Sequence, residues 1–161
     1  MGMLQNRVIE YLRVHEWKFD LSEEAGFIRY TISGNNGSWT TLLDVDEDDN
    51  LMIITARIPV VVPEPARTRV AEYCVRANCR LSYGSFSMEF DDGEVFLRTT
   101  VFSPEDKDGI EALEFAMNIN ASVFDDHLPA IMSVAFSSVN PADALEEVLG
   151  GKKPDKSYLY N

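Results

Sequence analysis

The densest run of potential metal ligands in this chain is Asp44-Val45-Asp46-Glu47-Asp48-Asp49-Asn50, five carboxylates within six consecutive residues. It begins like a calcium loop. A calcium loop of the EF-hand type, however, needs glycine at its sixth position for the sharp turn and a bidentate glutamate at its twelfth. Those positions hold Asp49 and Thr55, and the flanking residues alternate like strands rather than helices. A solvated acidic turn is therefore expected, with an acidic divalent-cation sensor as the alternative reading. Asp125-Asp126-His127 is the other cluster with metal or acid–base character. Adjacent residues on a helix do not face one another, so it would need partners from elsewhere in the fold. His15 and His127 are the only histidines, and neither a Gly-x-Ser-x-Gly elbow nor a phosphate-cradling glycine loop is present. No catalytic, cofactor-binding or metal-binding residue is assigned. The expectation is a protein without enzymatic activity, against the alternative of a small-molecule enzyme with an unrecognised site.

Arg67, Arg69, Arg76 and Arg80 make one stretch net basic in a chain of formal charge -13. Two readings stand side by side: pairing with acids of the same chain, which contributes little at a surface, or docking on an acidic surface. Arg67, Arg76 and Arg80 are the candidates for the second reading. Cys74 and Cys79 lie five apart, which is not a metal or redox spacing, and Cys74 falls on an apolar helical stripe as a small core residue would. Two free thiols, with neither a basic segment nor an apolar run in residues 1–6, suggest a reducing cytoplasm. The strong negative charge disfavours nucleic acid and anionic membranes as partners. No stretch approaches the ~20 apolar residues of a membrane span.

These groups have to be carried by a definite set of elements. Leu4, Val8 and Tyr11/Leu12 predict a helix over 3–14. Alternation predicts strands at 27–33, 38–45 and 51–58, joined by Gly34-Asn35-Asn36-Gly37 and by the acidic turn. Proline at 63 and 65 opens a helix over 65–80, carrying the stripe Val70, Tyr73, Cys74, Ala77. Strands at 85–91 and 94–102 flank Asp91-Asp92-Gly93. Ser103-Pro104-Glu105-Asp106 reads as a helix start, with a hydroxyl cap and acids in the first turn. The stripe from Ile110 to Ala135 belongs to one long helix that Pro129 kinks without ending. Asn140-Pro141 caps a last short helix, stopped by Gly150-Gly151.

The order is helix, three strands, helix, two strands, long helix, short helix. It predicts an α+β fold with a five-stranded antiparallel sheet in a single domain over 1–150, followed by a polar tail over 151–161. One feature bears on function. The third strand places Met52, Ile54 and Ile58 on one face and Leu51 and Ile53 on the other; the fifth places Val95, Leu97 and Val101 against Phe96 and Phe102. A second apolar face needs a cover, either the long helix or another chain. The expected assembly is a homodimer, with Phe86 or Phe96, whichever faces outward, at the contact.

Taken in order, Trp39, the turn near Asp46, Pro59, Pro63, Arg69-Val70-Ala71-Glu72-Tyr73, Asn78, Leu81, Gly84-Ser85-Phe86, Asp91-Asp92-Gly93-Glu94-Val95 and His127-Leu128-Pro129-Ala130-Ile131 resemble the YbjN family of bacterial sensory transduction regulators. The resemblance covers about residues 5 to 148 and is densest from Ile58 to Thr99. It implies a fold similar to type III secretion chaperones, small acidic dimers that hold protein partners on apolar patches. It implies no reaction, no cofactor and no catalytic residue.

Overall fold

The structure, a computed structural model, describes residues 2–22, 26–103 and 109–150. Helix α1 spans Met3–Val14, and its buried residues Leu4, Val8, Ile9, Tyr11 and Leu12 recur at helical spacing. Then follow strands β1 (Phe19–Leu21), β2 (Phe27–Ser33), β3 (Ser38–Asp46) and β4 (Leu51–Arg57). A short 3-10 turn, Glu64–Ala66, leads into α2 (Arg67–Asn78), then β5 (Ser85–Met88), β6 (Val95–Phe102), α3 (Gly109–Phe136) and α4 (Pro141–Leu149). The strands form one antiparallel sheet in the order β1-β2-β3-β4-β6-β5.

The sheet has six strands, not the expected five. The extra one, β1, pairs Phe19 with Tyr30 and Leu21 with Ile28 at the β2 edge. Strand β5 ends at Met88 rather than at residue 91, because the turn begins at Glu89, whose carbonyl accepts the Gly93 N–H at 2.8 Å. Of the expected start of the long helix, residues 104–108 lie outside the described residues, as does the tail over 151–161.

The ladder register puts Ile28, Tyr30, Trp39, Thr41, Leu43, Met52, Ile54, Ala56, Leu97 and Phe86 on one face. All are buried, and all four helices pack on that face. Two hydrophobic clusters result. One joins Trp39, Ala56, Leu97 and Phe86 to α2, α4 and the C-terminal half of α3. The other joins Ile28, Leu43, Met52 and Ile54 to α1 and to Leu113 and Met117 of α3. Between them the Asn120 amide donates to Leu97 O at 3.3 Å and to Thr99 Oγ1 at 3.0 Å.

Helix α3 runs unbroken through Pro129. A proline has no N–H to give the carbonyl four residues back, here that of Asp125. That carbonyl accepts the Asn36 side-chain amide at 3.1 Å instead. The Asp125 carboxylate accepts the backbone N–H groups of Asn35 at 2.9 Å and Asn36 at 2.8 Å. The tip of the β2–β3 hairpin is thus fastened to the helix at the position the proline frees. Gly34 lets the backbone come this close, since a Cβ there would lie 2.3 Å from Asp125 Oδ1.

Asp125→Ala should destabilise the fold by about 3 kcal/mol, the scale of two charge-assisted hydrogen bonds to a buried acceptor. Asp125→Asn should recover part, because one amide oxygen can still accept one N–H. Urea unfolding of the three proteins checks the order, and amide exchange at Asn35 and Asn36 should quicken in both variants.

Candidate functional site

Most of the groups singled out by residue type are engaged within the fold. Glu47, in the acidic turn, reaches across to the N-terminus of α1, where it accepts Leu4 N–H at 3.1 Å and Gln5 N–H at 2.7 Å. That placement follows from the positive end of the helix and its unpaired donors. Asp46 Oδ1 folds back on the turn, accepting the N–H groups of Asp48 and Asp49, each at 3.1 Å. Arg67 holds the β5–β6 hairpin: its guanidinium donates to Val62 O at 3.2 Å, Phe90 O at 2.6 Å and Asp91 O at 3.1 Å. Gly93, at φ +79°, is what lets the hairpin fold against Val62. Arg69 Nη2 donates to Val134 O at 3.4 Å, and Arg76 pairs with Glu72 at 2.7 Å one turn away. Arg80 is half-buried just past the end of α2. The four arginines therefore do not form one outward basic surface.

The Asp125-Asp126-His127 cluster is divided as its helical placement requires. Asp125 holds the hairpin, Asp126 faces solvent, and His127 is buried against α2, where its Nδ1 shares a 2.6 Å hydrogen bond with the Tyr73 hydroxyl. Desolvation lowers the His127 pKa from its ordinary value, against a smaller opposing pull from Asp126. Burial raises the Tyr73 hydroxyl pKa and pushes the Cys74 thiol up to about 12, which leaves that cysteine an inert core residue.

Phe86 and Phe96 part company. Phe86 is 3% exposed and lies in the core, its ring 5.2 Å from His127. Phe96 is half-buried on the opposite face of the sheet. That outer face carries no helix of the described residues, because all four pack on the other side. The long helix is therefore not the cover for the second apolar face. Register sets the outer side chains in rows across the strands. Thr31, Thr40, Arg57 and Phe96 form one; Arg29, Leu42, Thr55 and Arg98 the next. Then come Phe27, Asp44, Ile53 and Thr100, and finally Asp46, Leu51 and Phe102, the last 61% exposed. Arg57 pairs with Glu94, Arg29 pairs with Asp20 at 3.3 Å, and the Arg98 guanidinium sits 5.1 Å over the Phe96 ring. Phe27, Leu42, Arg29 and Arg57 line a shallow depression there. Ile53, Phe96 and Phe102 were visible in sequence as the second apolar side of two strands. Leu42 and Arg98 were not, although each lies in phase with them.

Two measurements follow. Calcium titration should give no saturable micromolar isotherm, since Glu47 is committed to α1 and the turn lacks the glycine and glutamate of a calcium loop. For His127, the folded state resists protonation while the unfolded chain takes up a proton below its ordinary pKa of about 6.5. Stability is therefore lost as pH falls below that value. Wild type should lose stability faster than His127→Gln between about pH 7 and 5, by at most about 1.4 kcal/mol per pH unit. Equal slopes in urea unfolding would refute this.

No curated protein matches the sequence of this chain. Among solved structures it is similar to the crystal structure of YbjN from E. coli, described as "a putative transcription regulator", with a TM-score of 0.56 and 11% identity over 76% of this chain and 90% of that one. At that identity the likeness establishes the fold. The family model for YbjN, described as "Putative bacterial sensory transduction regulator", matches residues 5–131. Since the match spans well over half of the 161 residues, the chain belongs to the YbjN family.

Proposed function

We propose that this chain is a non-catalytic protein-binding module of the cytoplasm, a regulatory adaptor that acts like a secretion chaperone by presenting the outer face of its sheet to protein. The observation that carries this reading is the one-sided packing: four helices on one face of a six-stranded sheet and none of the described residues over the other. Half-buried Leu42 and Ile53, diagonal neighbours at the centre, with half-buried Phe96 and exposed Phe102 toward the two ends, put apolar side chains among the polar ones of the outer face, and exposed apolar surface rimmed by polar residues marks interaction surfaces. The regulatory description of the family supports a role exerted through a partner. Among the described residues, no helix is long and apolar enough to cross a membrane.

The free protein is a homodimer in this reading, and a partner protein is taken up in place of the second copy. Of the residues first considered for contact, Phe96 keeps that role on the open face. Phe86 is core, Arg67 is spent on hairpin carbonyls and Arg76 on Glu72. Arg80 stays a peripheral candidate at the end of α2.

Ile53 is half-exposed at the centre of the face, so Ile53→Asp should leave the fold intact by circular dichroism. Tagged wild-type protein should recover a partner from a native lysate in near-stoichiometric amount, and Ile53→Asp should not. Equal recovery by both would show that this face is not the binding surface.

A further inference from the structure

The β1 edge of the sheet is notched. Strand β1 begins at Phe19, opposite Tyr30, whereas β2 continues past that pair to Ser33. The chain reaches β1 from α1 through a tight connection, in which Glu16 takes φ +58° and Trp17 N–H donates to Leu12 O at 2.8 Å. Between the last turn of α1 and the uncovered end of β2 lies a recess of about 920 Å³. Sites for small molecules fall at roughly 300–1,000 Å³.

The lining of this recess is cationic in an acidic molecule. Arg13 from α1, Lys18 from the connection and Arg29 from β2 converge there, and Asp20 is the one acid among the lining residues. Three positive charges against one negative leave a surplus of two, in a chain of formal charge -13. Asp20 pairs with Arg29 at 3.3 Å, while Arg13 and Lys18 have no ion pair among the described residues. Acids elsewhere on the surface are screened beyond about 8 Å at physiological ionic strength, so the local surplus governs what is held at contact range. The recess also has an aromatic wall. Trp17 and Phe19 are both half-buried, and the Trp17 ring stands edge-on to Tyr30 with centroids 5.2 Å apart.

Cations beside a partly open indole suit a small anion joined to a planar group. A monocarboxylate would answer only half of the charge surplus, whereas a phosphate monoester carries about -1.5 to -2 at pH 7. Guanidinium and ammonium groups are the side-chain donors that phosphate takes best, and an indole stacks on a nucleobase whatever its identity. A peptide strand is the poorer occupant, because β1 is three residues long and offers too short an edge to pair. We propose that this recess is a binding site for a nucleoside monophosphate, its phosphate held by Arg13 and Lys18 and its base laid against Trp17. Arg29 and Thr31 line the recess and belong also to the rows of the outer face, so the ligand would border that face without occupying it.

Calorimetric titration of the full chain with adenosine 5′-monophosphate tests this, with inorganic phosphate and adenosine titrated separately at the same ionic strength. The nucleotide should bind saturably at one site with a sub-millimolar dissociation constant, and should quench tryptophan emission. Phosphate or adenosine alone should bind about tenfold more weakly or worse. Arg13→Ala combined with Lys18→Ala should weaken the nucleotide about tenfold or more, as expected for lost charge-assisted hydrogen bonds. Arg7→Ala combined with Arg80→Ala removes the same charge from outside the recess and should leave binding unchanged. Trp17→Leu should abolish the quenching and bind nucleotide and phosphate alike. Wild type without saturable nucleotide binding, or equal weakening by the two double variants, overturns the proposal. Phosphate binding to wild type as tightly as the nucleotide overturns the assignment of a nucleoside to the aromatic wall.

Discussion

A proline in the middle of a helix and a carboxylate one turn before it organise this fold. Pro129 deprives the Asp125 carbonyl of its helical partner, and the β2–β3 hairpin supplies the replacement through Asn36. The carboxylate of the same residue then takes two backbone N–H groups from the hairpin tip. Helix and sheet are therefore joined by hydrogen bonds that neither could satisfy alone. Burial of Phe124 against Trp39, with ring centroids 4.9 Å apart, follows from that junction. The junction also holds α3 to the inner side of the hairpin that bears Trp39.

The same device recurs at other joints. Glu47 reaches from the β3–β4 turn to α1, Arg67 from α2 to the β5–β6 hairpin, and Asn78 from the end of α2 to β5. In each case one polar side chain answers backbone groups of a distant element. Part of the acidic character of the chain thus has a structural use. The remainder, including exposed Asp44 on the outer face, contributes to the charge of the surface.

How much of this could be read beforehand depended on whether a feature has a period. The amphipathic stripe of α1, the alternation of β2 to β4 and the continuity of α3 through Pro129 all repeat over many residues and were legible. Strand β1 has only Phe19, Asp20 and Leu21, less than two periods of alternation, too few to announce a strand in sequence. The two-sided apolar character of β4 and β6 announced the open face, while the depth of Phe86 could be settled only by register. The engagement of Arg67 could not be read at all, because its acceptors are backbone carbonyls, which every residue owns. Asp125 escaped for the same reason: its donors are peptide groups of a turn some ninety residues away.

Asn120 lies where the two hydrophobic clusters meet, and only α3 and the ladder of the sheet run continuously through both. Cooperativity across the molecule therefore depends on a single helix and on strand pairing rather than on a shared interior. The part built on α1, β1 and β2 packs on β3, β4 and the N-terminal half of α3, and shares no buried cluster with α2 or α4. It has the makings of a separate foldon, able to open and reclose while α2, α4 and the C-terminal half of α3 hold their packing. Such a molecule can loosen at one end without losing the other, so its tolerance of mutation and its slowest amide exchange should both be graded along α3, weakest beside Leu113 and strongest beside Ile131.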